Sequence, residues 1–247
     1  MAASSVGARQ VGRRAMVVCG ALVVPPWSSV YTPQDLYNRL VALDFGNGTA
    51  YAGLQMLEGA MPSQAMRTRS FDTSPARRYA ALMAGEFAAT VLQEPWITVA
   101  EKAGCRLVST TLFYGTWVAD AALDADTYAA FVRASTAAVR RINADKRRYL
   151  PYFTREYQGY PEVEALTPDD FNPGRIQVKA PEPIPEAEAR WDWEWMSSWG
   201  ILSGAFEAAT QINTAVQQAA HAGTPGLAAL ATSSCRSEEM VPNRGTL

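Results

Sequence analysis

The sequence predicts an α/β fold. Three observations carry that prediction. Apolar runs of strand length alternate with amphipathic runs of helical period between about residues 40 and 111; the strand candidates stop at glycines, prolines or carboxylates; and 48% hydrophobic with 19% charged residues is the balance of an ordinary globular protein. Strand, helix, strand, helix, strand in sequence is the signature of a parallel sheet with crossover helices. A length of 247 residues suffices for one large domain or two small lobes, each with a core.

Taken from the start, Arg9, Arg13 and Arg14 precede an apolar decade, Ala15 to Val24. That decade has the size of a signal-peptide apolar region, and Met16 to Val24 reads equally as a buried strand, so residues 1–32 are either a signal-like segment or a strand of a first lobe. Pro33 to Leu36 reads as a turn. Leu40 to Phe45 forms a short strand that ends at Gly46-Asn47-Gly48-Thr49, where glycines permit a tight loop and Thr49 can cap a helix from Ala50 to Gly59. Met66 to Phe71 reads as a strand. Ser74 and Pro75 then supply the N-cap and first residue of a helix closed by Gly85. Phe87 to Leu92 has the continuous apolar character of a buried strand, stopped by Gln93-Glu94-Pro95-Trp96, and a helix follows from Pro95 to Ala103.

Two further strands are expected, Arg106 to Thr111 and Tyr114 to Ala119, separated by Leu112-Phe113. Asp126 can cap a long helix from Thr127 to Asn143, with Tyr128, Phe131, Val132, Val139 and Ile142 on one face. Arg133, Arg140 and Arg141 lie elsewhere on it and read as a solvated charged face. A second helix is expected from Ala144 through Tyr152, bent by Pro151. Residues 161–185 are proline- and loop-rich, and the run Pro181-Glu182-Pro183-Ile184-Pro185 is expected to be extended. Glu186 to Ile201 is a helix whose Trp191, Trp195 and Trp199 make a stripe suited to core or lobe packing. Phe206 to His221 continues as a helix of small and polar residues, and a poorly ordered tail follows from Ala222.

Composition excludes several function classes. With 22 basic and 24 acidic residues and a net charge of −2, the chain has no global field for nucleic acid. Cys19, Cys105 and Cys235 are far apart and odd in number, so they give neither a disulfide framework nor metal-ligand spacing. The single histidine, His221, sits near the end, which removes most histidine-based catalysis. Neither a zinc site nor a histidine-based catalytic site can be read from these residues.

Five stretches then line up with one family. Arg78-Tyr79-Ala80-Ala81-Leu82 with Gly85-Glu86, Leu92-Gln93-Glu94-Pro95-Trp96, and Ala100-Glu101-Lys102-Ala103-Gly104 resemble substrate-binding proteins of ABC importers of the nitrate/sulfonate/taurine type, the NMT1/THI5-like group. So do Ala138 to Arg147 and Trp193 to Ile201. The resemblance spans residues 33–202. It implies a type II periplasmic-binding-protein-like fold of two α/β lobes joined by a hinge, with residues 33–111 as the second lobe, 112–202 as the hinge return and helical part of the first lobe, and 203–247 as a helix and tail. The family's first strand–helix units have at most about 32 residues here, so the first lobe is expected to be incomplete.

By that resemblance the chain binds a small anionic or polar solute, such as a sulfonate, nitrate or pyrimidine, outside the cytoplasm, and hands it to importer membrane subunits. Asn47, Gly48, Thr49, Ala50 and Tyr51 match the place where a helix start meets the solute. Gln93, Glu94 and Trp96 match the other wall, with Trp96 as a flat apolar face. Tyr114 and Trp117 lie near the hinge. Two alternatives stay open: an enzyme on the same fold, of the pyrimidine-synthesising or desulfinating kind, and a remodelled relative that no longer binds solute.

Overall fold

Alternation along the two longest strands builds the molecule. In the computed structural model, which describes residues 7–72 and 74–222, β1 (Ala8–Val24) is a 17-residue strand and β5 (Arg106–Asp120) a 15-residue one. They pair antiparallel along nearly their whole lengths, from Ala8 opposite Asp120 to Val24 opposite Arg106. The apolar decade at the start is therefore the middle of a sheet, as the strand reading has it. Leu112 and Phe113 lie inside β5, so the two strands expected there are one: the pair continues the pattern and contains no turn residue.

Between these strands in sequence lies a strand–helix series. It comprises β2 (Leu40–Leu43), α1 (Gly48–Glu58), β3 (Arg67–Ser70), α2 (Pro75–Met83), β4 (Ala89–Leu92) and α3 (Trp96–Lys102). Strands β2, β3 and β4 are parallel, as the sequence order predicts, while β1 runs antiparallel to β4 and β5. The sheet order is β3-β2-β4-β1-β5. Successive side chains point to opposite faces, so Cys19, Ala21 and Val23 of β1 join one core and Leu22 and Val24 the other. The first core holds Leu82, Trp96 and Ile97 under α2 and α3; the second holds Leu54 and Leu57 under α1. Each fully buried leucine contributes about 1.5–3 kcal/mol by leaving water.

Past β5 the chain is mostly helical: α4 (Ala125–Ala144), α5 (Lys146–Arg155), α6 (Pro161–Glu164), the short β6 (Gln177–Val178), α7 (Glu186–Ser198), α8 (Ala208–Gln211) and α9 (Thr214–His221). Helix α4 starts two residues earlier than expected, because Asp124 and not Asp126 accepts the Thr127 N–H at 2.8 Å. Pro151 lies inside α5. The helix expected over 206–221 is split at Ile212, which bridges Gln10 of β1. His221, expected in a polar terminal stretch, is buried at the end of α9. The expected tail lies outside the described residues apart from Ala222, as does Cys235.

The outer halves of β1 and β5 leave the large lobe and carry a second, smaller core of Val11, Tyr128, Val132 and Val216, built with α4 and α9. The tryptophan stripe divides: Trp195 and Trp199 pack over the α1 core, while Trp191 is 53% exposed.

Candidate solute cleft

The carboxyl ends of β2 and β4 and the start of α1 meet where the sheet changes direction, the usual ligand position in open α/β sheets. At the mouth of α1, Asn47 is the N-cap and Thr49 is inside the helix, because the Asn47 side chain accepts the Thr49 N–H at 2.7 Å and its hydroxyl at 2.5 Å. The Asn47 amide donates to Asp44, which also accepts the Gly46 N–H at 2.9 Å. Asp44 is itself buried, 3.6 Å from Arg78, whose guanidinium donates to the Asp72 carbonyl at 2.7 Å. The helix start expected to receive an anion thus already has a carboxylate beside it. Gly48 lies against Phe113 so closely that an added Cβ would sit 2.6 Å from the ring.

Thr49 and Ala50 face the core. Tyr51 points along α1 to α7, donating to Asp192 at 2.8 Å and accepting from Gln55 at 2.9 Å, with the Trp195 ring 5.0 Å away edge-on. Burial, then Asp192, pushes the Tyr51 phenol well above its ordinary value. Asp192 is raised as well, mainly by burial, with neighbouring Glu188 adding to it against the Tyr51 hydrogen bond.

The second expected wall corrects the sequence reading in part. Gln93 is half-buried at the end of β4. Glu94 is turned inward: it accepts from Arg175 at 2.7 Å and from the Thr98 N–H and hydroxyl at 3.1 and 2.8 Å. Trp96, 2% exposed, lies among Tyr79, Tyr157 and Tyr160 and offers no flat face outward. Residues 157–175 cover both, and nothing local to 93–96 announces that cover.

Tyr114 and Trp117 fall on the β1–β5 ribbon, in company the sequence missed. Arg13 lies 4.6 Å from the Tyr114 ring centre and pairs with Glu182 and Glu188; Lys179 donates to the Tyr114 hydroxyl at 2.8 Å. Arg14 lies 5.5 Å from the Trp117 ring centre, exposed, and among the described residues no carboxylate is within ion-pairing distance of it. The available signal was an arginine pair at the head of a strand, which also reads as a leader. Gly115 and Trp117, which Arg14 lies against, alternate with Phe113 onto the α1 side of β5, whereas Tyr114 is the residue next to Phe113, so the α1 mouth and the Arg13–Tyr114 pair occupy different faces. They are joined through α7, where Asp192 holds Tyr51 and Glu188, one turn earlier, holds Arg13.

No protein-family model matches the chain, and no curated protein matches it in sequence. Solved structures do. The periplasmic aliphatic sulphonate binding protein SsuA from Escherichia coli matches with a TM-score of 0.59 at 18% identity, over 87% of this chain and 75% of that one. The alkanesulfonate-binding protein SsuA from Xanthomonas axonopodis pv. citri, bound to MOPS, matches with a TM-score of 0.58 at 17% identity, over 85% and 75%. The chain has a periplasmic-binding-protein-like fold. The same fold is shared by the desulfurization enzyme DSZB, with a TM-score of 0.57 at 13% identity over 87% and 79%, so a periplasmic-binding-protein-like fold does not itself separate binding from catalysis.

Proposed function

We propose that the chain is a solute-binding component of an ABC-type importer, acting outside the cytoplasm and passing a small organic anion or polar solute to membrane subunits. The observation that supports this is the capped start of α1, Asn47 to Tyr51, set at the carboxyl end of parallel β2 in a fold matched by two sulfonate-binding proteins. The Gly46 to Gly48 turn, whose Gly46 and Asn47 N–H groups already donate to Asp44, would offer its remaining backbone groups, with Gln93, to the polar part of the solute. Arg14, held on the Trp117 ring, would take its acid group, because Asp44 disfavours a second anion at the helix start. Glu94 and Trp96 act from behind the wall.

A binding role requires no reactive thiol. Cys19 and Cys105 are buried, and burial pushes both thiols above their ordinary value, which disfavours the thiolate a desulfinating site would use. The deciding experiment is thermal denaturation against sulfonates, nitrate and pyrimidines. A true ligand at a hundred times its dissociation constant should add about 2.7 kcal/mol of stability. Absence of any shift from folded protein across that panel would count against the reading, and turnover of a sulfinate with fast labelling of a cysteine would replace it with the enzyme.

A further inference from the structure

The charge of this chain is unevenly placed. Between residues 133 and 156 stand Arg133, Arg140, Arg141, Lys146, Arg147, Arg148 and Arg155 against only Asp145 and Glu156, a local charge of +5 in a chain whose total is −2. The rest of the sequence therefore carries −7. The segment is the second half of α4 and all of α5, which meet at Asp145.

Helical spacing sorts these residues onto outer faces. On α4, Arg133, Ala137, Arg140, Arg141 and Ala144 recur at three- and four-residue intervals and are all exposed, while Val132 and Val139 are buried. On α5, Leu150 and Phe153 turn inward, and Arg148, Pro151, Tyr152 and Arg155 form the opposite, exposed face. Tyr152 is 61% exposed, with the Arg155 guanidinium 4.9 Å from its ring centre. Two cations of the segment are engaged: Lys146 donates to the Ile176 carbonyl, and Arg147 pairs with Asp169. Among the described residues, Arg133, Arg140, Arg141, Arg148 and Arg155 have no carboxylate within ion-pairing distance.

We propose that this α4–α5 face docks on an anionic membrane surface. Charge complementarity selects that occupant. Five unpaired arginines on exposed helical faces, with a tyrosine whose ring is apolar and whose hydroxyl is polar, match the headgroup region of a bilayer carrying anionic lipid. The acidic remainder would be repelled by the same surface, so the approach is oriented and not a general basic stickiness. Solute binding at the cleft is a separate property and is not required.

Flotation of the full chain with vesicles tests this, using phosphatidylcholine alone and phosphatidylcholine mixed with phosphatidylglycerol. Binding to the mixed vesicles only, weakening with added salt, is expected. Each arginine near the surface contributes roughly fivefold in affinity, so Arg140→Gln/Arg141→Gln should weaken binding by roughly thirtyfold, and Arg148→Gln/Arg155→Gln comparably. The matched control Arg67→Gln/Arg69→Gln alters two exposed arginines of β3 and should leave binding unchanged. Circular dichroism of each variant establishes folding. No association at low salt, equal loss in the β3 control, or capture by an acidic polypeptide in preference to anionic vesicles would overturn the proposal.

Discussion

Replacing Glu94 by alanine should cost the fold about 3–4 kcal/mol. The side chain of Glu94 is 3% exposed and that of Arg175 is 10% exposed, so both charges of the pair are largely removed from water. Loss of the carboxylate strands Arg175, and breaking a buried pair from one side costs roughly 3–5 kcal/mol. Arg175 keeps Glu101 at 2.6 Å, a partner 41% exposed, which places the loss at the lower end of that range. The Thr98 N–H and hydroxyl lose their acceptor as well, which adds about 1 kcal/mol for an uncapped helix start. Substituting both partners, Glu94→Leu with Arg175→Met, leaves no orphaned charge and should cost clearly less than Glu94→Ala alone. Urea denaturation followed by tryptophan fluorescence reads all three proteins, since Trp96 sits two residues away. A loss below about 1 kcal/mol for Glu94→Ala, or a double variant as unstable as the single, would refute the view that Glu94 is a strut and return it to the solute wall.

Two other perturbations have opposed outcomes under competing accounts. Gly48→Ala would stabilise an exposed helix start by up to about 1 kcal/mol on propensity, but with Phe113 at 2.6 Å from the new Cβ it should destabilise by about 1–3 kcal/mol; a rise in melting temperature would show that the ring yields freely. Because burial raises Asp192 above its ordinary 3.8, the folded state takes up a proton there before the unfolded state does, so ionised Asp192 costs stability at neutral pH and that cost fades as pH falls toward 3.8. Asp192→Asn keeps an acceptor for Tyr51 and should raise the melting temperature at neutral pH while flattening its acid dependence; an unchanged slope across that window would assign the titration elsewhere.

The parts of the fold that sequence reveals are those with local causes. Apolar runs punctuated by Gly46-Asn47-Gly48, Ser74-Pro75 and Gly85 place β2 through α3 to within a few residues, since each turn or cap is chosen by its immediate neighbours. The long ribbon is different. Pairing of residues 8–24 with 106–120 closes a loop of about eighty residues, and no local signal distinguishes an uninterrupted β5 from two short strands. The candidate site suffers for the same reason. Trp96 and Glu94 look available because their covers, Tyr157, Tyr160 and Arg175, come from far along the chain; Arg14 looks like part of a leader because its aromatic seat, Trp117, is about a hundred residues away.

That ribbon also decides how the two ends of the molecule can move. They are joined by two strands laced to each other, and a laced pair flexes like a leaf spring, sharing any bend among many peptide groups. Arg14, Ala15 and Met16 have no counterpart on β5, and Gly12 just before them takes a φ of +155°, but β6 laces the same stretch from its other edge, with Met16 opposite Val178 and the Lys179 N–H on the Ala15 carbonyl at 2.8 Å. Arg14 therefore sits where β1 exchanges one partner strand for another, so a bend of the ribbon at that point has to be shared with β6.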